Sequence, residues 1–357
     1  SKRKPQYNYP TAKKKYRFAV LFPAYQEDEV IIDSVKNFLV QEYPRERYDI
    51  IVISNQMRQD TIDNLKALSA KVVKMDIRLH LALVHYRLNS IEYLPADYLR
   101  NSALDADNIV KPSYLEKIND ALYAGCSALQ THRVAKNRDS NIAVLDSVSE
   151  EINNSIFRKG HTRLGFSSAL SGSGMAFEYE LFKDIIQECH DIGEDKYMER
   201  KLLLQNVYIE YLEEVYTYDE KVRGKRDFYN QRRRWLTTQI SNLFSGLFQM
   251  PAAIFNGNWD YCDKLFQWMM PPRVLLLGFI ILIASFLTVL DFITSIKWWL
   301  LLVLLGITFS IAVPDYLVDR KFKKAIASVP VLFILMFLNI FRIGGHKFNP
   351  TKHSLKP

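Results

Sequence analysis

Residues 274–290 and 298–313 form two almost unbroken apolar runs separated by a short link. A bilayer demands about 20 apolar residues per helical span, because lipid offers no partner to a backbone N–H or C=O. The pair therefore reads as a transmembrane hairpin, with flanking residues completing each slightly short run. A third run, residues 329–343, has Arg320, Lys321, Lys323 and Lys324 before it and Arg342 and Lys347 after it. That charge favours neither side, so the run either spans or is re-entrant or interfacial. Just upstream, residues 236–256 (Ile240, Leu243, Phe244, Leu247, Phe248) and 259–270 (Trp259, Tyr261, Leu265, Trp268, Met269) are apolar on one face. This is the pattern of helices lying in the membrane interface.

The residues before the hairpin alternate between strand and helix. Residues 17–22 are a short apolar strand, followed by Pro23-Ala24-Tyr25-Gln26-Glu27; residues 27–40 have helical spacing, and residues 49–54 form a second strand. Strand, helix, strand begins a parallel sheet, whose ligands bind at the carboxyl ends of strands. Pro23, Tyr25, Glu27 and Asn55 sit at those ends, although each taken singly also fits an ordinary loop. Residues 71–75 read as a third strand and 80–94 as a helix. Residues 99–104 should be a strand leading into Asp105-Ala106-Asp107-Asn108, yet Arg100, Asn101 and Ser102 are polar. Pro112 suits the first turn of a helix reaching Tyr123. Residues 127–131 form a strand and residues 141–160 an amphipathic helix. Leu170-Ser171-Gly172-Ser173-Gly174-Met175 is a small-residue loop without a phosphate-binding fingerprint, open to close approach by a bulky substrate. Helices at 178–189 and 191–206 and a strand within 207–218 complete an α/β unit.

Forty-seven Lys and Arg against 39 Asp and Glu leave a net charge of +8. Such an excess suits an anionic membrane surface or a phosphorylated substrate. Nucleic acid is excluded as a partner, since no nucleic-acid-binding motif occurs and the basic residues cluster beside apolar segments. Three widely spaced cysteines, Cys126, Cys189 and Cys262, make neither a disulfide framework nor a zinc site, which points to a reducing cytosol. Residues 1–16 are a basic arm, either extended along a membrane surface or a plain disordered tail. The chain starts at Ser1 without an apolar signal region, so a preceding segment is expected.

Two motifs carry chemistry. Gly193-Glu194-Asp195-Lys196 places a carboxylate pair at the start of a helix, and Gln231-Arg232-Arg233-Arg234-Trp235 places three guanidiniums beside a tryptophan. Alone, Asp195 could merely favour a helix dipole, the arginines could be a solvated face and Trp235 an interfacial anchor. With Asp105 and Asp107 they make a different set: acidic metal ligands, a candidate base and a cationic cluster, which chemistry on a sugar diphosphate needs. The seven histidines show no paired metal spacing.

Together these residues resemble the inverting, membrane-embedded glycosyltransferases of the family-2 type, which include cellulose, chitin-oligomer and hyaluronan synthases and the ceramide glucosyltransferases. The similarity covers roughly residues 17–245 and the membrane layout. Gln231 to Trp235 matches the family's QxxRW, Gly193-Glu194-Asp195 its ED motif, Asp105-Ala106-Asp107 its DxD, and Pro23 to Glu27 its first nucleotide loop. Phe348-Asn349-Pro350-Thr351-Lys352-His353 is faintly similar to the FxVTxK gating loop, which would place the tail in the cytosol. The chain departs from the pattern at Asn55, where an Asp usually contacts the base, at Tyr86-Arg87-Leu88-Asn89, and in the polar strand before Asp105.

The resemblance implies a GT-A fold over residues 17–235, interface helices over 236–272, transmembrane helices over 273–345 and a tail over 346–357. It implies a UDP-sugar donor and Mg²⁺ or Mn²⁺ held by Asp107, with Asp105 on the metal or the nucleotide sugar. Asp195 would be the base with Glu194 in support, and Arg234 would hold the diphosphate. Trp235, Gln231, Ser173, Gly174 and Met175 would line the acceptor side; Pro23, Tyr25, Glu27 and Asn55 would receive the nucleotide. The leading expectation is processive polysaccharide synthesis at an inner or plasma membrane. The alternatives are transfer of one sugar to a lipid (ceramide, diacylglycerol or a polyprenyl phosphate) and an inactive scaffold in an export complex. A homo-oligomer or an export partner subunit is expected to complete so small a membrane region.

Overall fold

The structure is a computed structural model that describes residues 9–75, 98–189 and 193–341. The helix expected at 80–94, the Tyr86 to Asn89 segment and the gating-loop match at 348–353 lie outside these residues.

Eight described strands form one mixed sheet: β1 (Phe18–Tyr25), β2 (Tyr48–Asn55), β3 (Lys71–Met75), β4 (Arg100–Ala103), β5 (Ile109–Val110), β6 (Ala128–Ala135), β7 (Met175–Glu178) and β8 (Ile209–Asp219). Their order is β3-β2-β1-β4-β7-β6-β8-β5, with β3, β2, β1 and β4 parallel and β7 antiparallel to both of its neighbours. Period-two alternation sends Phe18, Val20 and Phe22 of β1 to one face and Ala19 and Leu21 to the other, and all five are buried. Helices α1 (Ile31–Phe38), α2 (Gln59–Ala67) and α3 (Tyr114–Tyr123) follow the first strands, and α1 and α3 cover the Phe18 face.

β1 runs on through Pro23 to Tyr25, so Pro23 is a buried strand residue rather than a loop residue. It lies beyond Leu21, the last β1 residue that pairs with β4, so its missing N–H costs no ladder bond on that side. The polar stretch before Asp105 is a central strand. Asn101 and Ser102 of β4 are fully buried between β1 and β7, and Ser102 Oγ lies 3.3 Å from Tyr114 Oη. A hydroxyl partner makes a polar residue tolerable in that position.

α4 (Asn141–Asn153) passes into a π-helical stretch, Asn154–Gly160. α5 (Tyr179–Gln187) and α6 (Glu194–Leu204) pack under the second face of the sheet. The described part of the N-terminal arm is docked along α3: Ala12 N donates to Asp120 Oδ1 at 2.8 Å and Tyr16 N to Asn119 Oδ1 at 3.0 Å.

α7 (Lys225–Leu247) is one 23-residue helix, so the boundary expected at 235/236 falls inside it. α8 (Met250–Phe255) and α9 (Trp259–Met269) follow. α9 divides its surface: Tyr261, Lys264, Leu265 and Trp268 are buried, the three apolar ones in the core beneath α6, while Trp259, Phe266 and Met269 are exposed. α10 (Arg273–Leu290) and α11 (Phe292–Ala312) have mean hydropathies of 2.5 and 1.9. At 1.5 Å per residue they are roughly 27 and 32 Å long, enough to cross a bilayer. α12 (Arg320–Ile326) and α13 (Val329–Ile340) meet at a 53° bend, a broken span or a re-entrant turn. α13 is anchored to α7, where Asn339 Nδ2 donates to Tyr229 O at 3.1 Å.

Candidate active site

Because β1, β2 and β4 are parallel, Tyr25, Asn55 and Asp105 gather at one edge of the sheet. The first two strand ends are tied together: Gln26 N donates to Asn55 O at 3.1 Å, and Tyr25 Oη and Gln26 Nε2 both donate to Gln56 Oε1, at 3.0 and 2.7 Å. Gln26 (φ 54°) and Gln56 (φ 53°) both adopt the left-handed region. Such strain in non-glycine residues persists where surrounding structure holds it, and it concentrates at ligand clamps. Asn55 is 1% exposed, and neither of its amide atoms has a hydrogen-bond partner among the described residues. Glu27 is half-buried beside them.

The two aspartates of the acidic turn differ. Asp105 is half-buried, and its N–H is held by Asn108 Oδ1 at 2.9 Å. Asp107 is turned inward: Oδ2 accepts from Glu220 N at 2.6 Å, Oδ1 accepts from Asn108 Nδ2 at 3.2 Å, and Lys136 Nζ donates to the Asp107 carbonyl at 3.2 Å. The turn is thereby knitted to the ends of β6 and β8. Behind it lies a buried charge network in which Arg133 meets Asp219 and donates to Ser171 O at 2.6 Å, and Lys221 lies 3.0 Å from Asp219. Burial by itself would raise the Asp219 carboxyl, but Arg133 and Lys221 hold it below its ordinary value. Nothing in sequence spacing marks Arg133, because its partners Ser171 and Asp219 lie 38 and 86 positions away.

Asp195 opens α6, and its Oδ1 accepts from Lys196 N at 2.9 Å. Protein surrounds this partly exposed carboxyl; burial pushes its pKa up, Lys196 opposes this, and Glu194 and Glu199 add to the rise. Gly193 caps the helix at φ +106°, where a Cβ would come within 2.7 Å of Thr238 Cβ on α7. The acidic helix therefore abuts α7 just past Trp235. In the arginine motif, Arg232 bonds to buried Asp146 of α4 and stacks on Trp235 with 4.4 Å from guanidinium to ring. Arg232 is thus structural, whereas Arg233, Arg234, Trp235 and Gln231 are half-buried.

The loop after α4 links both halves, since Ser171 O takes Arg133 and Leu170 meets Lys196 and Glu199. Within it, Ser173 and Met175 have no exposed surface and Gly174 is buried; Ser171 and Gly172 reach the surface. None of the expected site residues lines the large cavity of about 530 Å³, which runs along β8 between Tyr9, Lys117 and Tyr216.

The profile of glycosyl transferase family group 2 matches residues 103–311, more than half of the chain. The chain belongs to that family. The glycosyl transferase family 2 profile also matches residues 19–186. Among solved structures, this glycosyltransferase is similar to the mannosyltransferase PcManGT from Pyrobaculum calidifontis in complex with GDP-Man and Mn²⁺, with a TM-score of 0.53 at 12% identity over 93% of this chain and 91% of that one. It is also similar to Staphylococcus aureus TarS 1–349 in complex with UDP-GlcNAc (TM-score 0.44, 16% identity, 61% and 64% of the two chains). Glucosyl-3-phosphoglycerate synthase from Mycobacterium tuberculosis, with Mn²⁺ and UDP, gives a TM-score of 0.44 at 15% identity over 64% and 80%. At these identities the likeness is one of fold: a GT-A type, Rossmann-like α/β domain followed by helices. No curated protein matches the chain by sequence.

Proposed function

We propose that this glycosyltransferase moves a single sugar from a nucleotide-sugar donor to a lipid acceptor at a membrane surface. The observation that carries this reading is α7. One helix holds Arg234 and Trp235 beside the start of α6, then continues to exposed Phe244 and Phe248 and leads to the apolar hairpin. A site built on that helix would lie where a lipid headgroup sits. Processive synthesis, the expectation drawn from QxxRW, needs a path for a polymer. Only 17% and 6% of the residues in the two spanning helices are buried, and the described helices pack side by side, which favours a lipid acceptor. The catalytic domain, continued through α7, would face the cytosol; three widely spaced cysteines suit a reducing compartment.

In this reading Asp195 takes the proton of the acceptor hydroxyl as its oxygen attacks the anomeric carbon, and its raised pKa makes it a better proton acceptor. Attack opposite the diphosphate inverts the anomeric centre. Arg234 offers a planar fork to the diphosphate, and Trp235 a flat face to the acceptor. Tyr25, Glu27 and Asn55 receive the nucleotide, with Pro23 contributing only backbone. On the acceptor side Ser171 and Gly172 replace the buried Ser173, Gly174 and Met175 as the reachable part of the loop. Asp105 supplies a hard oxygen donor that suits Mg²⁺ or Mn²⁺; Asp107, held by Glu220 N and Asn108 Nδ2, would have only the remaining lone pairs of its oxygens to offer, and the other ligands would come from phosphate and water. Bound there, the ion would neutralise charge on the leaving diphosphate.

The test uses protein in proteoliposomes with UDP-glucose, UDP-GlcNAc or GDP-mannose and with polyprenyl phosphate, ceramide or diacylglycerol, with and without EDTA. Chelator-sensitive transfer of one sugar into the organic phase is expected, absent in Asp195→Asn. Long water-soluble chains would restore the processive reading, and no turnover with any pair would favour the inactive scaffold.

A further inference from the structure

Beneath the start of α6 lies a buried ion triad. Glu199 has no exposed surface; its Oε2 meets Lys196 Nζ at 3.0 Å and its Oε1 meets Lys264 Nζ at 3.0 Å. Lys264 comes from α9, is 1% exposed and also donates to Gln267 Oε1 at 3.1 Å. The same cluster holds the loop after α4, for Leu170 N donates to Glu199 Oε1 at 3.0 Å and Lys196 Nζ donates to Leu170 O at 3.2 Å. Lys196 keeps part of its surface, but burying Glu199 and Lys264 this deeply is costly, and an apolar pair of similar volume would fill the space at least as well. The arrangement has a further effect on the neighbouring carboxyl. Asp195 lies one turn from Glu199 on the same helix, so the triad's net charge of +1 rather than zero acts on it directly.

We propose that Lys264 and Glu199 are positioning residues for Asp195, setting the charge it works in from α9. This rests on Asp195 being the base. The helix supplying Lys264 exposes Trp259, Phe266 and Met269 on its outer side, so the balance at the base is delivered by the element whose apolar surface points away from the domain. Other charges face the cluster from the elements packed on it. Glu194 and Lys196 lie on α6 itself, Asp260 and Asp263 on α9, and Arg158 and His161 on the π-helical side. His161 is engaged with Asp263 at 3.4 Å and Arg158 with Glu150 at 2.8 Å, so neither substitutes for Lys264.

The test reads the proton affinity of Asp195 without relying on turnover. In each background, the Tm of the Asp195 protein is compared with that of its Asp195→Asn counterpart across pH. A carboxyl whose pKa is raised on folding loses stability relative to Asn as pH rises from the unfolded value to the folded one, then levels off. The upper end of that fall marks Asp195. Lys264→Met removes one of the cluster's two cations and should move it up, by roughly one pH unit. Glu199→Gln should move it down, the double variant should return it toward the wild-type position, and Lys264→Arg should leave it in place. The acid limb of turnover should follow the same order. A purely structural triad would lower Tm at every pH and leave the midpoint still, which would overturn the inference. If the midpoint moves but Asp195→Asn keeps full turnover, the charge coupling stands and the assignment of Asp195 as base fails.

Discussion

Replacing Gly193 by alanine should damage catalysis more than its size suggests. Two costs combine at this position. At φ +106° an alanine pays roughly 1–2 kcal/mol of backbone strain. Its Cβ would also stand 2.7 Å from Thr238 Cβ and 2.8 Å from Thr238 Cγ2. Carbon atoms rest at about 3.5–4.0 Å, so α6 must withdraw from α7 by close to 1 Å, an overpacking cost of about 1–3 kcal/mol. The sum of roughly 2–5 kcal/mol corresponds to a Tm loss of about 5–15 °C for a domain of this size. A 1 Å displacement of a catalytic group can cost about 10²-fold in turnover, and Asp195 sits two residues away. Gly257→Ala is the control: that residue has φ +68° but nothing within 4 Å of its would-be Cβ, so it carries the strain without the clash. Thermal melts in detergent and nucleotide release measure both variants. If Gly193→Ala proves no worse than Gly257→Ala in Tm and in turnover, the close approach of α6 to α7 is not what holds Asp195, and the reasoning fails.

Three further outcomes are expected. Asp195→Asn keeps the acceptor for Lys196 N but loses the charge; turnover should fall by about 10²–10⁴-fold while Tm at neutral pH stays level or rises, because the ionised carboxyl is disfavoured by burial. In the wild type, turnover should decline as pH falls through an Asp195 pKa that lies above the ordinary carboxylate value. Arg232→Ala leaves Asp146, 5% exposed, without its partner and should destabilise by about 3–5 kcal/mol. Arg232→Ala with Asp146→Asn should recover part of that loss in a thermal melt, whereas equal loss in both would mean the pair is not the source.

Much of the fold was legible because apolar period is a local signal. Residues 71–75 were expected as a strand and are β3, the strand at 49–54 lies within β2, and that at 17–22 overlaps β1, which begins one residue later at Phe18. The extension of β1 through Pro23 was not legible, since a proline normally argues against an inner strand. Whether it is tolerated depends on where the neighbouring β4 stops. The strand expected before Asp105 is there as the short β4, but what makes its polarity tolerable was not legible, because Ser102 meets its hydroxyl partner only when the fold brings Tyr114 beside it. Residues 141–160 were expected as one helix, and the change to π-helical geometry at Asn154 leaves no trace in the spacing.

The site divides along the same line. The motifs at Asp105, Asp195 and Arg234 could be picked out from residue type and order, because the chemistry of a sugar diphosphate restricts which side chains can serve. Their surroundings could not. That Asp107 is turned inward onto Glu220 N, that Arg232 serves Asp146, that Ser173 is sealed in the interior and that Lys264 reaches Glu199 all depend on contacts between residues 43 to 113 positions apart. The sequence by itself determined the order of strands and helices, the acidic and basic motifs and the apolar hairpin, since each is written in neighbouring residues. Only the tertiary structure decided which charges are buried together, because desolvation and pairing depend on what the fold places within a few ångströms, and distance along the chain carries no record of that.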